Sequence, residues 1–358
     1  LIGGSGNDFL VGGAGSDTYR FARGSGRDII NNDDDSAGRV DVIEFAEDID
    51  AAEVNASRVG DDLLLESAAA GNTVTVKNHY FQDGENTHVI DEVRFLADGI
   101  AWSFETLKIK ALEGTSGDDN LTGFATDDRI DGLRGNDSLY GGDGADTIIG
   151  GDGNDHIQGG GGSDYLEGSA GEDLIEGGLD DDILIGGVGN DMLNGGFGDD
   201  TYVIQPGAGL DTLSDPGGND TLKLEGTLRE DVLIDVDEES VVVTLPGGVS
   251  AVLTHWSMAE NRIENIVFDD GQEYRIEAFL LPQVTSYELT LDEDTDANGT
   301  IEVNGGYGGI RYDVLQESTH GDFTLNQDGS WHYQPDDQYF GEDQVGVAVE
   351  NDFGASAV

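Results

Sequence analysis

The chain contains no cysteine among its 358 residues, so no disulfide can brace the fold. Basic residues are also scarce: 16 Lys and Arg stand against 75 Asp and Glu, which gives a formal net charge of −59. The basic residues are scattered and form no positive stripe, which excludes a nucleic-acid-binding face. A chain this acidic cannot bury enough apolar surface to stay folded unless a counter-ion neutralises it.

Long apolar runs are missing as well. No stretch approaches 18 apolar residues, so we expect no membrane span. The first residues show no recognisable signal peptide either.

The chain has instead a nine-residue repeat that starts at Gly114 and runs for ten units without a slip. Every unit opens with glycine, has aspartate at its sixth position and a large apolar residue at its eighth. The aspartates are Asp119, Asp128, Asp137, Asp146, Asp155, Asp164, Asp173, Asp182, Asp191 and Asp200. The apolar residues are Leu121, Ile130, Leu139, Ile148, Ile157, Leu166, Ile175, Leu184, Leu193 and Tyr202.

This pattern predicts a coil built around a cation. Each unit divides into a six-residue turn and a three-residue strand whose central apolar side chain points inward. Two units form one coil, so stacking brings each aspartate to about 4.8 Å from the aspartate of the next coil. Carboxylates that close repel each other unless a cation lies between them, and Ca²⁺ accepts six to eight oxygen ligands. The alternative, aspartates that serve only solubility, would require no fixed phase.

The ten aspartates then form two columns, with about eight enclosed calcium sites between residues 114 and 203 and partial sites at the array ends. Departures from the pattern are expected to weaken or alter the early sites. Phe124, Ala125 and Thr126 replace the usual turn residues, and Leu133 replaces a glycine. Asp180 also stands at a glycine position, where it either adds a ligand or only tolerates the left-handed backbone.

The unit G-G-x-G-x-D-x-U-x resembles the calcium-binding nonapeptide of the RTX family. This resemblance implies a right-handed parallel β-roll and export as an unfolded chain through a one-step bacterial secretion channel, with a C-terminal secretion signal. The absence of cysteine fits a secreted or surface protein that is cross-linked by metal. Extracellular calcium modules have Kd values of about 0.1–1 mM. We therefore expect the chain to be unfolded inside the cell and folded outside.

A second, shorter array lies at the start of the chain. Its two full units, residues 3–11 and 12–20, add Asp8 and Asp17 to the candidate metal ligands. Leu1 and Ile2 fit a unit whose turn is missing, so we expect the chain to be a fragment. Asp17-Thr18-Tyr19 matches Asp200-Thr201-Tyr202. Asp28 follows Asp17 eleven residues later, and Asp211 follows Asp200 at the same distance. The similarity continues beyond the arrays, which indicates two copies of one array-and-cap module.

The segments after the arrays contain short alternating strands, with a brief helix after Ser103. They resemble RTX-associated segments, and we expect them to cap the open ends of the rolls, with ligand binding as the alternative. The expected organisation is all-β. Its segments are the end of a first β-roll (1–30), a β-rich cap with a short terminal helix (31–113), a second β-roll (114–213), a second cap (214–281) and a cadherin/Ig-like β-sandwich, expected to be truncated (282–358).

The last segment resembles the cadherin-like module of large bacterial surface proteins. The resemblance rests on the D-E-D-T run that starts at Asp292 and on the G-S-x-x-Y-x-P run that starts at Gly329. Asp292, Glu293, Asp294 and Asp296 are either ligands of interdomain calcium or solvated surface charge.

No catalytic constellation stands out. His79 and His255 occupy matching positions, but neither has a second histidine at ligand spacing, so we expect both to pack into the caps. There is no G-x-S-x-G and no H-E-x-x-H motif. Asp215-Pro216 resembles the bond that some self-cleaving RTX modules break, although a turn at this junction explains the proline equally well.

We therefore expect a non-enzymatic, calcium-folded stalk region of a secreted bacterial RTX adhesin or surface protein. Its expected partners are calcium, neighbouring domains of a longer chain, and a cell-surface or glycan ligand. One alternative is an accessory folding and secretion region of a secreted hydrolase or toxin. The other is a module that itself binds carbohydrate or a surface.

Overall fold

The computed structural model describes residues 1–84, 87–236, 240–254, 262–276, 283–284, 296–301, 303–304, 310–337, 339, 343–350 and 356–357. The chain divides into two compact units, Leu1–Met192 and Leu193–Val358. None of the described helices is long and apolar enough to cross a membrane.

The first unit begins with a short parallel stack and its cap. The strands are β1 (Phe9–Val11), β2 (Thr18–Phe21), β3 (Arg27–Asn31), β4 (Val42–Phe45), β5 (Asn55–Val59), β6 (Asp62–Ser67), β7 (Asn72–Val76), β8 (Glu92–Phe95) and β9 (Ala101–Ser103). Short 3₁₀ turns span Ala51–Glu53 and Phe81–Gly84, and the helix α1 spans Phe104–Ala111. The helix was expected after Ser103, and the Ser103 hydroxyl caps it by accepting from the Thr106 N–H over 3.2 Å.

Two sheets run through this part in the orders β1-β3-β7-β6-β5 and β2-β4-β8-β9. The first strands of each sheet pair in parallel, and the last ones turn antiparallel. The roll therefore continues through the cap and ends in hairpins. Phe21, Phe45 and Phe95 stack inside it, with ring centroids 6.1 and 5.2 Å apart.

The long array follows in the same unit. Its strands are β10 (Asn120–Thr122), β11 (Arg129–Asp131), β12 (Ser138–Asp143), β13 (Thr147–Asp152), β14 (His156–Gly161), β15 (Tyr165–Ala170), β16 (Leu174–Leu179) and β17 (Ile183–Val188). Even-numbered strands pair in parallel in one sheet and odd-numbered strands in the other, so that Leu139 lies beside Ile157 and Ile148 beside Leu166. The inward apolar residues from Ile130 to Leu184 are at most 2% exposed, as predicted, whereas Leu121 is only half-buried.

The strands differ in length from the prediction. From β12 to β17 each strand has six residues rather than three, because the first three residues of the next unit continue the backbone ladder. This pairing needs bare glycine. A Cβ on Gly141 would lie 2.6 Å from the Gly159 carbonyl oxygen of the next coil.

The second unit repeats the array end and cap. One strand, β18 (Met192–Phe197), spans the boundary. The others are β19 (Thr201–Ile204), β20 (Asp211–Ser214), β21 (Thr221–Leu224), β22 (Leu233–Val236), β23 (Val241–Leu245), β24 (Gly248–Leu253), β25 (Asn265–Phe268) and β26 (Glu273–Arg275), with a 3₁₀ turn at Arg229–Asp231. Strand β20 pairs in parallel with β24, which continues antiparallel through β23 and β22. Similarly, β19, β21 and β25 are parallel, and β26 closes the sheet antiparallel. The duplication expected from the sequence is therefore present in the topology.

The C-terminal module is antiparallel throughout the part that the structure describes. Its strands are β27 (Gln283–Val284), β28 (Ala297–Thr300), β29 (Val303–Asn304), β30 (Arg311–Gln316), β31 (Gly321–Leu325), β32 (Ser330–Pro335), β33 (Gly346–Glu350) and β34 (Ser356–Ala357). They form the sheets β28-β32-β31 and β30-β33-β34 and the pair β27-β29. The alternating sequence from Ser286 to Leu291, which predicts a further strand, lies outside the described residues.

Two adjacent glycines of the array allow a direct test of the stacking. Gly162 has φ +112°, and a Cβ there would lie 2.2 Å from the Gly144 carbonyl oxygen; at Gly161 the nearest atom, Asp143 Oδ1, would be 3.6 Å away. We expect Gly162→Ala to lower the free energy of unfolding by about 1–3 kcal/mol, and Gly161→Ala by less than about 0.5 kcal/mol. Thermal melts with saturating calcium measure both, and equal losses would contradict the stacked geometry.

Candidate functional site

Each repeat aspartate lies just before a strand and is held by the coil before its own. The backbone N–H of one aspartate donates to Oδ1 of the aspartate eighteen residues later, from Asp119 with Asp137 to Asp173 with Asp191, over 2.7–2.9 Å. This bond explains the fixed phase, because a carboxylate shifted by one residue would point away from the coil that holds it.

The second carboxylate oxygen has a different environment. Among the described residues, Oδ2 is buried and has no hydrogen-bond partner in Asp8, Asp17, Asp28, Asp137, Asp146, Asp155, Asp164, Asp173 and Asp220. A buried charged oxygen without a donor is costly unless a cation satisfies it. The opening glycine leaves room for this oxygen, since a Cβ on Gly150 would lie 2.4 Å from Asp155 Oδ2. An all-oxygen donor set of this kind fits Ca²⁺.

The first two aspartates of the long array are different. Asp119 Oδ2 accepts from the Thr115 N–H over 2.6 Å, and Asp128 Oδ2 accepts from the Phe124 N–H over 2.5 Å. The Phe124 ring packs against Tyr80 of the first cap, with centroids 5.2 Å apart. The turn that the sequence marked as irregular therefore docks on the cap, and its carboxylate oxygen is engaged by its own backbone.

Burial dominates the electrostatics of the columns. Burial, together with the charge of nearby carboxylates, raises the pKa of Asp146 and of Asp173 to about 7 and that of Asp164 to about 6. Backbone N–H donors oppose the shift without cancelling it. The pKa values of Asp128, Asp137 and Asp155 are raised by burial in the same way.

The columns continue into the caps, which the sequence analysis missed. The Asp8 N–H donates to Asp28 Oδ1 over 2.9 Å, and the Asp17 N–H donates to Asp41 Oδ1 over 2.7 Å. In the second copy the Asp200 N–H donates to Asp220 Oδ1 over 2.9 Å. These spacings of 20 and 24 residues break the eighteen-residue period. Asp28, eleven residues after Asp17, was the available signal for the first of these bonds, and the similar runs that begin at Asp41 and Asp220 were the signal for the other two.

At the end of the second array three buried carboxylates come together. One oxygen from each of Asp200, Asp215 and Asp220 lies within 4.8 Å of the others. Burial raises the pKa of Asp220 to about 8, and the charges of Asp215 and Asp200 add to the shift. The sequence analysis named only Asp200 as a ligand and discussed Asp215 only for its bond to proline.

A second ladder of side chains runs along the outside of the turns, and the sequence analysis missed it too. Asn136 Oδ1 accepts from the Asn154 N–H over 2.8 Å, and Asn154 Oδ1 accepts from the Glu172 N–H over 3.0 Å. Likewise, Asp118 Oδ1 accepts from the Asn136 N–H over 2.8 Å, and Asp127 Oδ1 accepts from the Ala145 N–H over 3.0 Å. The recurring Asn or Asp at the fifth position of the unit was the signal. These exposed bonds hold the turns in register.

The remaining candidates are not part of the columns. His79 is fully buried in the cap, where its ring packs edge-on against Tyr80 and its Nδ1 accepts from the Ile90 N–H, as expected of a packed histidine. Burial lowers the pKa of His79 to about 3. Asp296 lies 3.6 Å from Nε2 of His332. His255, Asp292, Glu293 and Asp294 lie outside the described residues.

Comparisons with known proteins agree with this geometry. The RTX calcium-binding nonapeptide repeat model matches residues 1–30, 111–139, 140–175 and 167–202. A bacterial Ig domain model matches residues 268–358. This match describes the C-terminal module as Ig-like and carries no information on the narrower cadherin resemblance.

Two individual proteins are similar to parts of the chain. It is 37% identical over 107 residues to the iron-regulated protein FrpA of Neisseria meningitidis serogroup C, a match that covers 30% of this chain and 10% of that relative. The chain therefore spans about a tenth of the length of this curated relative. The extracellular lipase LipA from Serratia marcescens matches with 18% identity and a TM-score of 0.20, over 74% of this chain and 39% of the lipase. The repeat and domain matches identify the chain as an RTX repeat protein that also carries a bacterial Ig domain.

Proposed function

We propose that this chain is a calcium-folded structural region of a secreted bacterial protein of the adhesin or cell-surface type. Calcium binds in the turns of the two β-rolls, drives folding after export and stiffens a stalk. The count of about eight enclosed sites between residues 114 and 203 belongs to this proposal.

One observation carries the proposal. The same buried Oδ2 without a hydrogen-bond donor recurs in phase along the array, in Asp137, Asp146, Asp155, Asp164 and Asp173. Five such oxygens inside one small fold cannot all stay charged and unsatisfied at neutral pH. Ca²⁺ supplies the missing positive charge and tolerates the geometry of carboxylates mixed with turn carbonyls. A solubilising role would place the same oxygens in water.

The extracellular setting follows from the affinity expected of such sites. Modules with Kd values of about 0.1–1 mM remain empty at cytosolic calcium and fill outside the cell. We further propose that the region acts without catalysis. In support, the cap histidine His79 is fully buried and held neutral by its lowered pKa.

A calcium titration of the metal-free protein tests the folding switch. We expect far-UV circular dichroism to show a cooperative rise of the β signal at about 0.1–1 mM calcium, because each site filled to 100 times its Kd adds about 2.7 kcal/mol. Magnesium serves as the control and should not replace calcium. A protein that is already fully folded without calcium would remove the main support for folding coupled to export.

Asp155→Asn tests the columns, and Asp152→Asn is its matched control. Asp155 is buried between the neighbouring coils, whereas the Asp152 side chain is 68% exposed and forms only a surface ion pair with Arg134. Asparagine keeps the Oδ1 acceptor but removes a charged ligand. We expect about tenfold weaker calcium binding at the sites that share Asp155, about 1.4 kcal/mol each, and little change for Asp152→Asn. Isothermal titration calorimetry measures both variants, and equal effects would argue for a general loss of charge.

The raised pKa values predict how the metal-free protein responds to pH. Burial holds the pKa of Asp146 and Asp173 near about 7 in the fold, against an ordinary value of 3.8. The folded state therefore binds more protons than the unfolded state between these values. Stability of the metal-free roll is then greatest below about pH 4 and is lost as the pH rises towards 7. We expect the β signal in calcium-free buffer to increase when the pH falls from 8 to 5. The calcium-loaded protein is the control, and a flat profile without calcium would contradict the prediction.

A further inference from the structure

The two array ends have equivalent hydrogen bonds to their caps. Asp17 and Asp200 each donate their N–H to an aspartate of the cap, Asp41 in the first copy and Asp220 in the second. Each of these cap aspartates in turn donates its own N–H to a carboxylate of the following strand region, Asp91 over 2.7 Å and Glu264 over 2.9 Å.

A buried tyrosine in each copy makes a second equivalent contact, to a polar side chain of the cap. The Tyr19 hydroxyl donates to Asn32 Oδ1 over 2.7 Å. In the second copy the Tyr202 hydroxyl lies 2.7 Å from Asp215 Oδ2. Both partners stand thirteen residues after their tyrosine. Asn32 and Asp215 therefore occupy the same place, one neutral and the other a carboxylate.

In the first copy, a side chain of the protein itself supplies positive charge beside Asp41. Asp41 Oδ2 accepts from Asn32 Nδ2 over 2.9 Å and from Arg39 Nη1 over 2.6 Å. The Arg39 guanidinium also lies 3.3 Å from Asp91 Oδ2, and its side chain is only 11% exposed. A buried cation of the chain thus satisfies the end of this column.

At the position equivalent to Arg39, the second copy has no such side chain. Gly218 stands two residues before Asp220, where Arg39 stands two residues before Asp41. A Cβ on Gly218 would lie 1.8 Å from the Gly198 carbonyl oxygen, so no larger residue fits there. Asp220 is fully buried, and its Oδ2 has no hydrogen-bond partner. The charge that Arg39 supplies in the first copy must come from elsewhere.

The geometry of the three carboxylates indicates the source. Asp200, Asp215 and Asp220 are at most 2% exposed, and the oxygens they offer lie within 4.8 Å of one another. Ligand oxygens at 2.3–2.6 Å from Ca²⁺ are separated by no more than about 5 Å, so one ion can contact all three. The donors are oxygens only, which favours a hard divalent cation over zinc or copper.

We propose that Asp200, Asp215 and Asp220 form a calcium site that ties the second array to its cap, in the place where the first copy uses the Arg39 guanidinium. The site lies at the cap end of a column, beyond the nonapeptide repeats, because Asp215 and Asp220 belong to the cap. The identification of the ion as calcium rests on the proposed function. It implies that the cap aspartate Asp41 of the first copy keeps its counter-charge without metal, whereas Asp220 of the second copy gains one only when calcium is bound.

Asp215→Asn tests the site in the whole chain, because it introduces the residue that the first copy already carries. We expect about one calcium ion fewer per chain in equilibrium dialysis against calcium, while the β signal of the calcium-loaded array is kept. At the lowest calcium concentration that folds the array, the variant should melt at a higher temperature than the unmodified chain, since one of three buried charges is gone. Saturating calcium should then raise the melting temperature of the variant by less than that of the unmodified chain.

The control is Asp231→Asn, which removes the same charge from an exposed position in the same cap; it should change neither the calcium count nor the melting temperature. If Asp215→Asn fails to fold, Asp215→Glu keeps the charge, and we expect it to bind the full number of ions with one of them more weakly. An unchanged calcium count and an unchanged calcium response in Asp215→Asn would overturn the cap site alone. If the unmodified chain binds no calcium, the proposed function fails with it.

Discussion

The structure depends on a carboxylate held between two coils. From Asp137 to Asp191, one oxygen of each repeat aspartate accepts a backbone N–H from the preceding coil, which locks the side chain in place and aligns the coils. In Asp137, Asp146, Asp155, Asp164 and Asp173 the other oxygen is buried without a donor. A hydrogen bond that positions the ligand and a charge that needs a cation are therefore properties of one residue. In the function we propose, this coupling makes metal binding and folding a single process.

Glycine makes this arrangement possible in two ways. The opening glycine of each unit leaves the volume that the carboxylate oxygen occupies, and the following glycines let the backbone ladder continue at close spacing. At three of the positions where another residue replaces a glycine, the left-handed backbone is kept: Leu133, Ser169 and Asp180 have φ values of 70°, 80° and 71°. Such strain is tolerated because the neighbouring coils define the backbone on both sides.

The two caps show two solutions to one electrostatic problem. Every column ends, and its last carboxylate still lies in a buried place. In the first copy Arg39 and Asn32 donate to Asp41, and the fold there carries its own counter-charge. In the second copy, Asp215 and Gly218 occupy the equivalent positions, and three carboxylates face one another. Two array ends of the same topology can therefore respond differently to calcium.

The sequence by itself determined the period, the aspartate held between coils and the inward apolar residue, because a coil of two units repeats the same contacts every eighteen residues. From Gly114 onward, phase alone places Asp137, Asp155 and Leu139 correctly. The caps lie beyond that period, so only the tertiary structure decided that Asp28, Asp41 and Asp220 continue the columns. It also decided the six-residue strands, since backbone pairing between glycines leaves no trace in hydrophobic patterning. The meeting of Asp200, Asp215 and Asp220 was invisible for the same reason: loops of unequal length bring them together, and loop geometry is set by what the loop packs against rather than by its own residues.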